Sequence, residues 1–407
     1  MTHSNDHLTF SVSDFPGGEK SFVELPFEVS ADVDRIEVSY GFSSGSVIDL
    51  GLARQGRMRG WSGSERGHVT IAADVATPGY QPGALAGRWH VVLGIVKLGP
   101  EARVNVTVRL IARQRRWLTG ELHSHTEHSD GGVTVLDAIY RARQGGLDFV
   151  AITDHNTVTQ NTIRPDDPGI LVLPAMELTT FWGHTNFFGL VEPVADWRCR
   201  SPEEVGDKMR EARDNGATVV INHPFQRSAG GKWQAGFDVP FDALEIWNGT
   251  WAAHNVDALA FWQDQLVAGR RLPITGGSDF HLKNRRRHGR PSNRLAADGR
   301  SIAAILAAVR AGHNVVGFAA DDLTAEPLPG APLFGDDVAV GSPIAIVFDG
   351  LSGGDEVRLV TETGLIAVEQ PQADRHICEC RLDGRFLRFE VWHGGEPKLF
   401  TNPIYGR

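Results

Sequence analysis

Residues 121–156 read ELHSHTEHSDGGVTVLDAIYRARQGGLDFVAITDHN, and the plan of the central chain is visible in them. Thr134 is a helix-capping residue type, and a helix is predicted from it through Ala142, ended by Gly145-Gly146. The apolar run at 147–152 then predicts a buried strand. This stretch therefore predicts a strand–helix–strand unit with histidines and acids near its strand ends.

The same alternation continues along the chain and predicts an α/β domain over residues 117–320. Further predicted strands end near residues 222, 247 and 275, and further helices begin near residues 201, 256 and 301. Such alternation favours a parallel sheet that is closed, or nearly closed, as a barrel. Residues 1–116 contain short β-branched runs between turns and predict a β-sandwich-like domain, and residues 321–407 predict a small C-terminal β unit.

The composition of the 407-residue chain limits its partners. It carries 50 acidic and 40 basic residues, a net charge of −10, which argues against nucleic acid or an anionic membrane as a general partner. No run approaches the ~18 consecutive apolar residues of a membrane helix, and the polar start lacks the plan of a signal peptide. Three cysteines are too few for a disulfide framework. We therefore expect a cytoplasmic protein with no membrane partner.

Histidines and acids recur where apolar runs end. His123 and His125 are two positions apart, so on a strand both rings face the same side. Asp130 follows in a turn, and the strand through residue 152 runs into Asp154 and His155. Later runs lead into Glu177, His184, His223, Asp279 and His281. Because the active site of an α/β barrel forms at the carboxyl ends of its strands, we expect these side chains to meet there.

Five motifs in this region resemble those of a known family. They are His123-x-His125-Thr126-x-x-Ser129-Asp130-Gly131, Thr153-Asp154-His155-Asn156, Glu177 with His184, Asn222-His223-Pro224 and Ser278-Asp279-Phe280-His281. In this order they resemble the polymerase-and-histidinol-phosphatase (PHP) family. The β-rich N-terminal region and the ending at 401–405 resemble its carbaryl-hydrolase-like (CehA/McbA) branch. The resemblance implies a distorted (βα)7 barrel with two or three divalent ions.

The resemblance also implies a distribution of nine ligands over the ions. One ion would be held by His123, His125, Glu177 and Asp279, a second by Glu177, His184 and His223, and a third by Asp130, His155 and His281. Mixed imidazole and carboxylate donors suit zinc, manganese or iron better than calcium or magnesium. No cysteine lies near these motifs, which argues against a thiolate zinc site.

A hydrolytic mechanism is expected for such a site. A hydroxide that bridges two ions would attack phosphorus or a carbonyl carbon directly. The third ion, or protonated His155 or His281 in its absence, would stabilise the leaving oxygen. Asp154 would orient a ligand from outside the metal shell.

Basic residues beyond the motifs suggest an anionic substrate. Three arginines follow the last motif, at Arg285, Arg286 and Arg287, and two basic residues follow His223, at Arg227 and Lys232. Together they predict a clamp for a small anionic ester. The alternative interpretation of the arginine run is a solvated loop. The leading prediction is a phosphoesterase for a small phosphomonoester or phosphodiester. A carboxylester or carbamate hydrolase is the alternative, and a non-catalytic metal-bound binding module is a third.

Overall fold

The computed structural model describes residues 6–163, 169–190, 192–228, 230–281, 288–319 and 322–407. The chain divides into two compact units. Unit 1 comprises Met1–Arg115, Asp166–Leu171 and Asp298–Ser301, and unit 2 comprises Arg116–Pro165, Val172–Ala297 and Ile302–Arg407. The finer division at residues 116 and 320 stays a prediction.

The described part of unit 1 contains eight strands. They are β1 (Asp6–Val12), β2 (Ser21–Val29), β3 (Val33–Phe42), β4 (Val47–Arg54), β5 (Arg57–Trp61), β6 (His68–Ala72), β7 (Gly87–Lys97) and β8 (Val104–Ala112). They form two four-stranded sheets, in the orders β1-β8-β3-β6 and β2-β7-β4-β5. Along β8, the valines at 104, 106 and 108 are buried while the residues between them are not, so this strand contributes one face to the core. Both sheets supply side chains to that one core.

Unit 2 is a mixed α/β structure. Its first strands are β9 (Arg115–Glu121), β10 (Phe149–Ala151), β11 (Leu171–Leu173), β12 (Ala175–Thr180), β13 (Gly183–Phe188), β14 (Thr218–Ile221), β15 (Ala243–Asn248), β16 (Ile274–Gly277), β17 (Ser292–Asp298) and β18 (Asn314–Gly317). Strands β12 to β16 form one sheet in chain order, and β9, β10 and β11 lie in a larger one with β17 and β18. The helices are α1 (Val135–Gln144), α2 (Pro202–Asp214), α3 (Ala253–Val267) and α4 (Ile302–Ala311).

The C-terminal strands of unit 2 extend these sheets. They are β19 (Thr324–Pro327), β20 (Asp337–Val338), β21 (Pro343–Asp349), β22 (Asp355–Thr361), β23 (Gly364–Glu369), β24 (Arg375–Arg381), β25 (Phe386–His393), β26 (Glu396–Thr401) and β27 (Ile404–Gly406). Strand β26 pairs with β18, which makes β22, β23, β25 and β26 part of the larger sheet, and β19, β21 and β24 form a sheet of three.

Capping residues fix the starts of two helices, as the sequence predicts. The Thr134 hydroxyl accepts the Asp137 backbone N–H at 3.1 Å, and the Ser201 hydroxyl accepts that of Glu204 at 3.4 Å with Pro202 in the first turn. Helix α3 begins at Ala253, three residues before the predicted start. Among the described residues, no helix has the length and apolarity needed to cross a membrane.

The predicted (βα)7 barrel is not evident. The described residues contain four α-helices, too few for seven strand–helix repeats. One reason is the link between β12 and β13, where Thr180 pairs with Gly183 in a tight antiparallel hairpin. A hairpin of this length leaves no room for a crossover helix, which only parallel neighbours require. Parallel pairing does occur between β9 and β10, and from β14 through β16. The strand ends still meet, and they carry the site described next.

Candidate metal centre

The segment after β9 places two imidazoles beside a carboxylate. The Asp279 backbone N–H donates to the His123 carbonyl at 2.8 Å, and the His125 N–H donates to the Phe280 carbonyl at 3.0 Å. This short parallel bridge aligns residues 123–125 with the segment that follows β16. As a result the Asp279 Oδ1 atom lies 3.5 Å from His123 Nε2 and 3.2 Å from His125 Nε2.

Glu177 on β12 lies at the middle of the cluster and is fully buried. Its Oε1 atom is 3.4 Å from His123 Nε2, 3.3 Å from His184 Nδ1 and 3.5 Å from His223 Nε2. Its Oε2 atom is 3.4 Å from His125 Nε2 and 2.9 Å from His155 Nδ1. One buried carboxylate thus faces five imidazoles, which come from four separate segments of the chain.

Asp130 and His281 complete the arrangement on its more open side. The Asp130 Oδ1 atom lies 3.0 Å from His281 Nε2 and 3.5 Å from His155 Nε2. The His281 Nδ1 atom is 2.9 Å from the Asp279 carbonyl oxygen, which can only accept, so this nitrogen carries the proton and Nε2 faces Asp130. Asp130 is largely exposed, whereas His155 and His281 are partly buried.

The nine predicted ligands fall into four overlapping groups whose donor atoms lie within 4.8 Å of one another. These groups are His125, Asp130, His155 and His281; His123, His223 and Asp279; His123, His125 and Glu177; and Glu177, His184 and His223. The structure therefore brings all nine side chains together. In addition to the predicted distribution, His125 belongs to the group of Asp130, His155 and His281, and His223 belongs to the group of His123 and Asp279.

Unpartnered nitrogens in the interior test whether these residues fit metal ions. Within the described structure, His123 Nε2 and both ring nitrogens of His125 are buried without a hydrogen-bond partner. A buried polar atom with no partner costs about 1–3 kcal/mol, and native proteins contain few of them. A cation between the imidazoles and carboxylates would satisfy these atoms, so the donor set fits divalent ions.

The charges in the cluster reinforce one another. Burial lowers the pKa of His123, but the carboxylates of Glu245, Glu177 and Asp279 outweigh it and raise that pKa well above the usual value. Burial raises the pKa of Glu177, yet the surrounding imidazoles, His123 first, hold it well below its usual range. The pKa of His125 is lowered, chiefly by burial. The Glu177 carboxylate thus stays ionised, as a cation ligand must.

Glu245 is a functional candidate that the sequence analysis missed. It lies on β15 and is buried, with Oε1 2.9 Å from His123 Nδ1. Its Oε2 atom accepts the His223 backbone N–H at 2.9 Å and the Asn248 amide at 3.1 Å. The carboxylate therefore holds two metal-ligand candidates from outside the cluster. The available signal was an acid within an apolar strand, where an unpaired charge is costly.

Two other buried groups position the ligand-bearing segments. Glu121 accepts the backbone N–H groups of His123 at 2.9 Å and Ser278 at 3.0 Å, which ties the two bridge segments together, and burial raises its pKa. Asn222 donates its amide to Glu177 Oε1 at 2.7 Å. Neither role was predicted, although Asn222 lies inside a quoted motif.

Asp154, predicted to orient a ligand, fixes the turn that leads to Asp130. Its Oδ1 atom accepts the Thr126 backbone N–H at 2.7 Å and the Ser129 hydroxyl at 2.6 Å, and its Oδ2 atom accepts the Thr126 hydroxyl at 2.6 Å. Asp154 is buried and does not belong to any of the four donor groups. Its geometry is that of a positioning residue.

The predicted substrate residues divide into two sets. Arg227 and Lys232 line a groove of about 570 Å³ just beyond His223, in which the Arg227 guanidinium lies 3.2 Å from the Asp257 carboxylate. The remaining predicted contacts, Arg285, Arg286 and Arg287, lie outside the described residues.

Comparisons with known proteins give remote likenesses. No family model matches the chain. It is 26% identical over 145 residues to an uncharacterized protein of Methanocaldococcus jannaschii, covering 32% of this chain and 82% of that protein. It is 25% identical over 109 residues to a 5'-3' exoribonuclease of Haemophilus influenzae, covering 23% of this chain and 40% of that protein.

Solved structures are similar only at a low level. A two-domain protein from Bacteroides vulgatus, described as containing a predicted PHP-like metal-dependent phosphoesterase, is 16% identical with a TM-score of 0.40, over 71% of this chain and 96% of that one. A TM-score below 0.5 does not establish a shared fold. The argument for function therefore depends on the geometry of the cluster itself.

Proposed function

We propose that this chain is a PHP-type metal-dependent hydrolase that cleaves a small phosphomonoester or phosphodiester. The observation that carries the proposal is the buried Glu177 carboxylate facing five imidazoles, two of which have nitrogens near it that lack a hydrogen-bond partner among the described residues. Such an arrangement is costly by itself and is stabilised by cations. The four donor groups would hold two or three divalent ions, with zinc, manganese and iron suited to the ligands.

Divalent ions bound together at such a site make water a stronger acid and polarise the ester. The protein residues would do the rest. His281 keeps its Nδ1 proton on the Asp279 carbonyl, so that its Nε2 and the Asp130 carboxylate face the open side of the cluster. In the absence of a third ion, a proton held between these two groups would pass to the leaving oxygen.

Basic residues that follow His223 in the chain favour a phosphate ester over a neutral ester. Arg227 and Lys232 line one groove together with Phe225 and Gln234. Guanidinium and ammonium groups stabilise phosphate oxygens, and a carboxylester or carbamate has no need of them. The run at 283–290 adds further positive charge in the sequence.

The experiment combines metal analysis with a substrate panel. Elemental analysis of the purified wild type should find bound divalent metal, and His123→Ala and Asp279→Ala should lose it together with hydrolysis. His128→Ala is the matched control, because His128 bonds to Thr159 and belongs to no donor group among the described residues. Loss of metal in the control as well, or no metal in the wild type, would refute the site.

The panel decides the ester class. p-Nitrophenyl phosphate and bis(p-nitrophenyl) phosphate represent the proposed substrates, and p-nitrophenyl acetate and an aryl carbamate represent the alternative hydrolase. Cleavage of the phosphates by metal-loaded protein supports the proposal. If the phosphates stay intact while the acetate or carbamate is cleaved, the chain is the alternative carboxylester or carbamate hydrolase using the same site. No turnover of either ester class would favour a binding module.

A further inference from the structure

Unit 1 carries an exposed aromatic patch on one face of the sheet β2-β7-β4-β5. Phe22 on β2 is 69% exposed, Met58 on β5 is 48% exposed, and Trp61 at the end of β5 is 38% exposed. The Phe22 and Trp61 rings are 6.1 Å apart and meet edge to face at 72°. Large apolar side chains gathered on a surface mark a binding site more often than single ones do.

Two glycines provide a seat for the Trp61 indole. A Cβ atom added to Gly51 would lie 2.3 Å from Trp61 Cε3, and one added to Gly94 would lie 2.7 Å from Trp61 Cζ2. The six-membered ring therefore rests directly on the backbone of β4 and β7. Glycine inside a strand weakens it and often marks a close approach of another group. Here the approaching group is the Trp61 ring, which forms an aromatic platform on the surface of the sheet.

Polar groups border the platform and define the charge of the groove. The groove has a volume of about 620 Å³ and is also lined by Glu24, Arg59 and Gln81. The Arg59 guanidinium already donates to the backbone carbonyls of Gln81, at 2.8 Å, and Pro82. The Glu24 carboxylate is 61% exposed, and its Oε2 atom lies 4.0 Å from the Nε2 atom of the His90 imidazole. An available carboxylate and an engaged guanidinium disfavour an anionic ligand.

We propose that this groove binds a pyranose unit of a neutral glycan, a function separate from the proposed hydrolase site. One face of a pyranose exposes C–H groups that pack on an indole, while its rim carries hydroxyls. Those hydroxyls would donate to the Glu24 carboxylate and exchange hydrogen bonds with the Gln81 amide. A purely apolar ligand would bury the carboxylate without a partner, which is unfavourable. The groove volume is also larger than a small ammonium ion needs.

The test is affinity electrophoresis of the full-length protein through native gels that contain a neutral polysaccharide. Hydroxyethyl cellulose, β-1,3-glucan, xylan and galactomannan are the probes, and calorimetry with the matching hexasaccharide measures the affinity. At least one polysaccharide should retard the wild type. Trp61→Ala should weaken binding at least tenfold, because the stacking surface is lost. Trp197→Ala is the control: it removes an exposed tryptophan that lies in unit 2, and it should leave glycan binding unchanged.

A second variant guards against a folding defect in Trp61→Ala. Glu24→Gln keeps the shape of the groove and removes the charged acceptor, so glycan binding should weaken while the circular dichroism spectrum and melting temperature stay unchanged. Retardation by none of the four polysaccharides would overturn the proposal. So would retardation that both variants retain. Binding of tetramethylammonium or phosphatidylcholine vesicles alone, or a Trp61-dependent dimer without glycan binding, would assign the patch to another ligand and also overturn it.

Discussion

Replacement of Glu245 by glutamine tests how the protein directs His123 toward a cation. The Oε2 atom of Glu245 accepts two N–H groups, from the His223 backbone at 2.9 Å and the Asn248 side chain at 3.1 Å. Glutamine has one oxygen, and these two donors would hold that oxygen in the place of Oε2. The glutamine NH₂ group must then face His123 Nδ1, where the wild type has Oε1 at 2.9 Å.

This exchange would reverse the tautomer of His123. Facing an NH₂ donor, Nδ1 becomes an acceptor and the ring proton moves to Nε2. A protonated Nε2 lacks the lone pair that a metal requires. Compared with the wild type, the metal-bound variant lacks the charge-assisted hydrogen bond from Nδ1 to the Glu245 carboxylate, worth about 1.5–3 kcal/mol. Changes in such supporting residues typically weaken metal binding about 10–100-fold, which is about 1.4–2.8 kcal/mol. The two estimates agree, so we expect a loss in that range.

Competition with a chromophoric chelator measures the zinc or manganese affinity of Glu245→Gln. The melting temperature of the metal-free protein reports whether the fold is intact. Glu390→Gln is the matched control, since Glu390 is a buried carboxylate that bonds to Arg388 and Trp392 rather than to the cluster. An unchanged metal affinity in Glu245→Gln would refute the tautomer argument. Equal losses in both variants would show a general effect of neutralising buried acids.

Three further predictions concern the cluster. The raised pKa of His123 keeps its imidazole protonated in metal-free protein at pH values where a free histidine is neutral. Metal binding should therefore release protons, and the metal affinity should fall as the pH falls. Calorimetry in buffers of different ionisation enthalpy measures the proton release, and its absence would contradict this prediction. Asp154→Ala leaves the Thr126 N–H and hydroxyl without their acceptor, so the free energy of unfolding in urea should fall by about 1–3 kcal/mol for each group; an unchanged value would contradict the assigned role. In Gly277→Ala the added Cβ would lie 2.2 Å from that of His123, so metal affinity should fall sharply, whereas Gly353→Ala, where nothing lies within 4 Å, should retain it.

The sequence could predict the residues of the cluster because each one follows a local rule. His123 and His125 share a face through the two-residue repeat of an extended chain, and their rings lie 5.2 Å apart. Asp279 and His281 follow an apolar strand in the same way. To predict that these side chains lie together, we had to assume only that the strand ends converge. Their role as metal ligands stays a prediction.

The residues behind the cluster could not be predicted because their partners are distant in sequence. Glu245 meets His123 across 122 positions, and Glu121 meets Ser278 across 157. In the sequence, Glu245 is one acid in a strand with no motif around it. The prediction of a regular barrel, with a helix after each strand, failed for a related reason. Alternation of strand-like and helical runs does not reveal that the chain turns back at Thr180–Gly183 and pairs antiparallel.

The hydrogen bonding of the imidazole nitrogens favours a metal centre over a structural histidine cluster. We call a ring nitrogen inward when it faces the carboxylates of the cluster and outward when it is directed to another group. A structural cluster would satisfy each ring at both nitrogens. Here the outward Nδ1 of His123 bonds to Glu245, and that of His281 bonds to a backbone carbonyl, while the inward Nε2 of His123 has no hydrogen-bond partner among the described residues. In the neutral ring, the hydrogen bond from Nδ1 to Glu245 leaves the Nε2 lone pair of His123 directed at the Glu177 and Asp279 carboxylates. A lone pair and anions directed at one another repel unless a cation lies between them, so the neutral ring is suited to a metal ion, and in metal-free protein a proton on His123 takes that place.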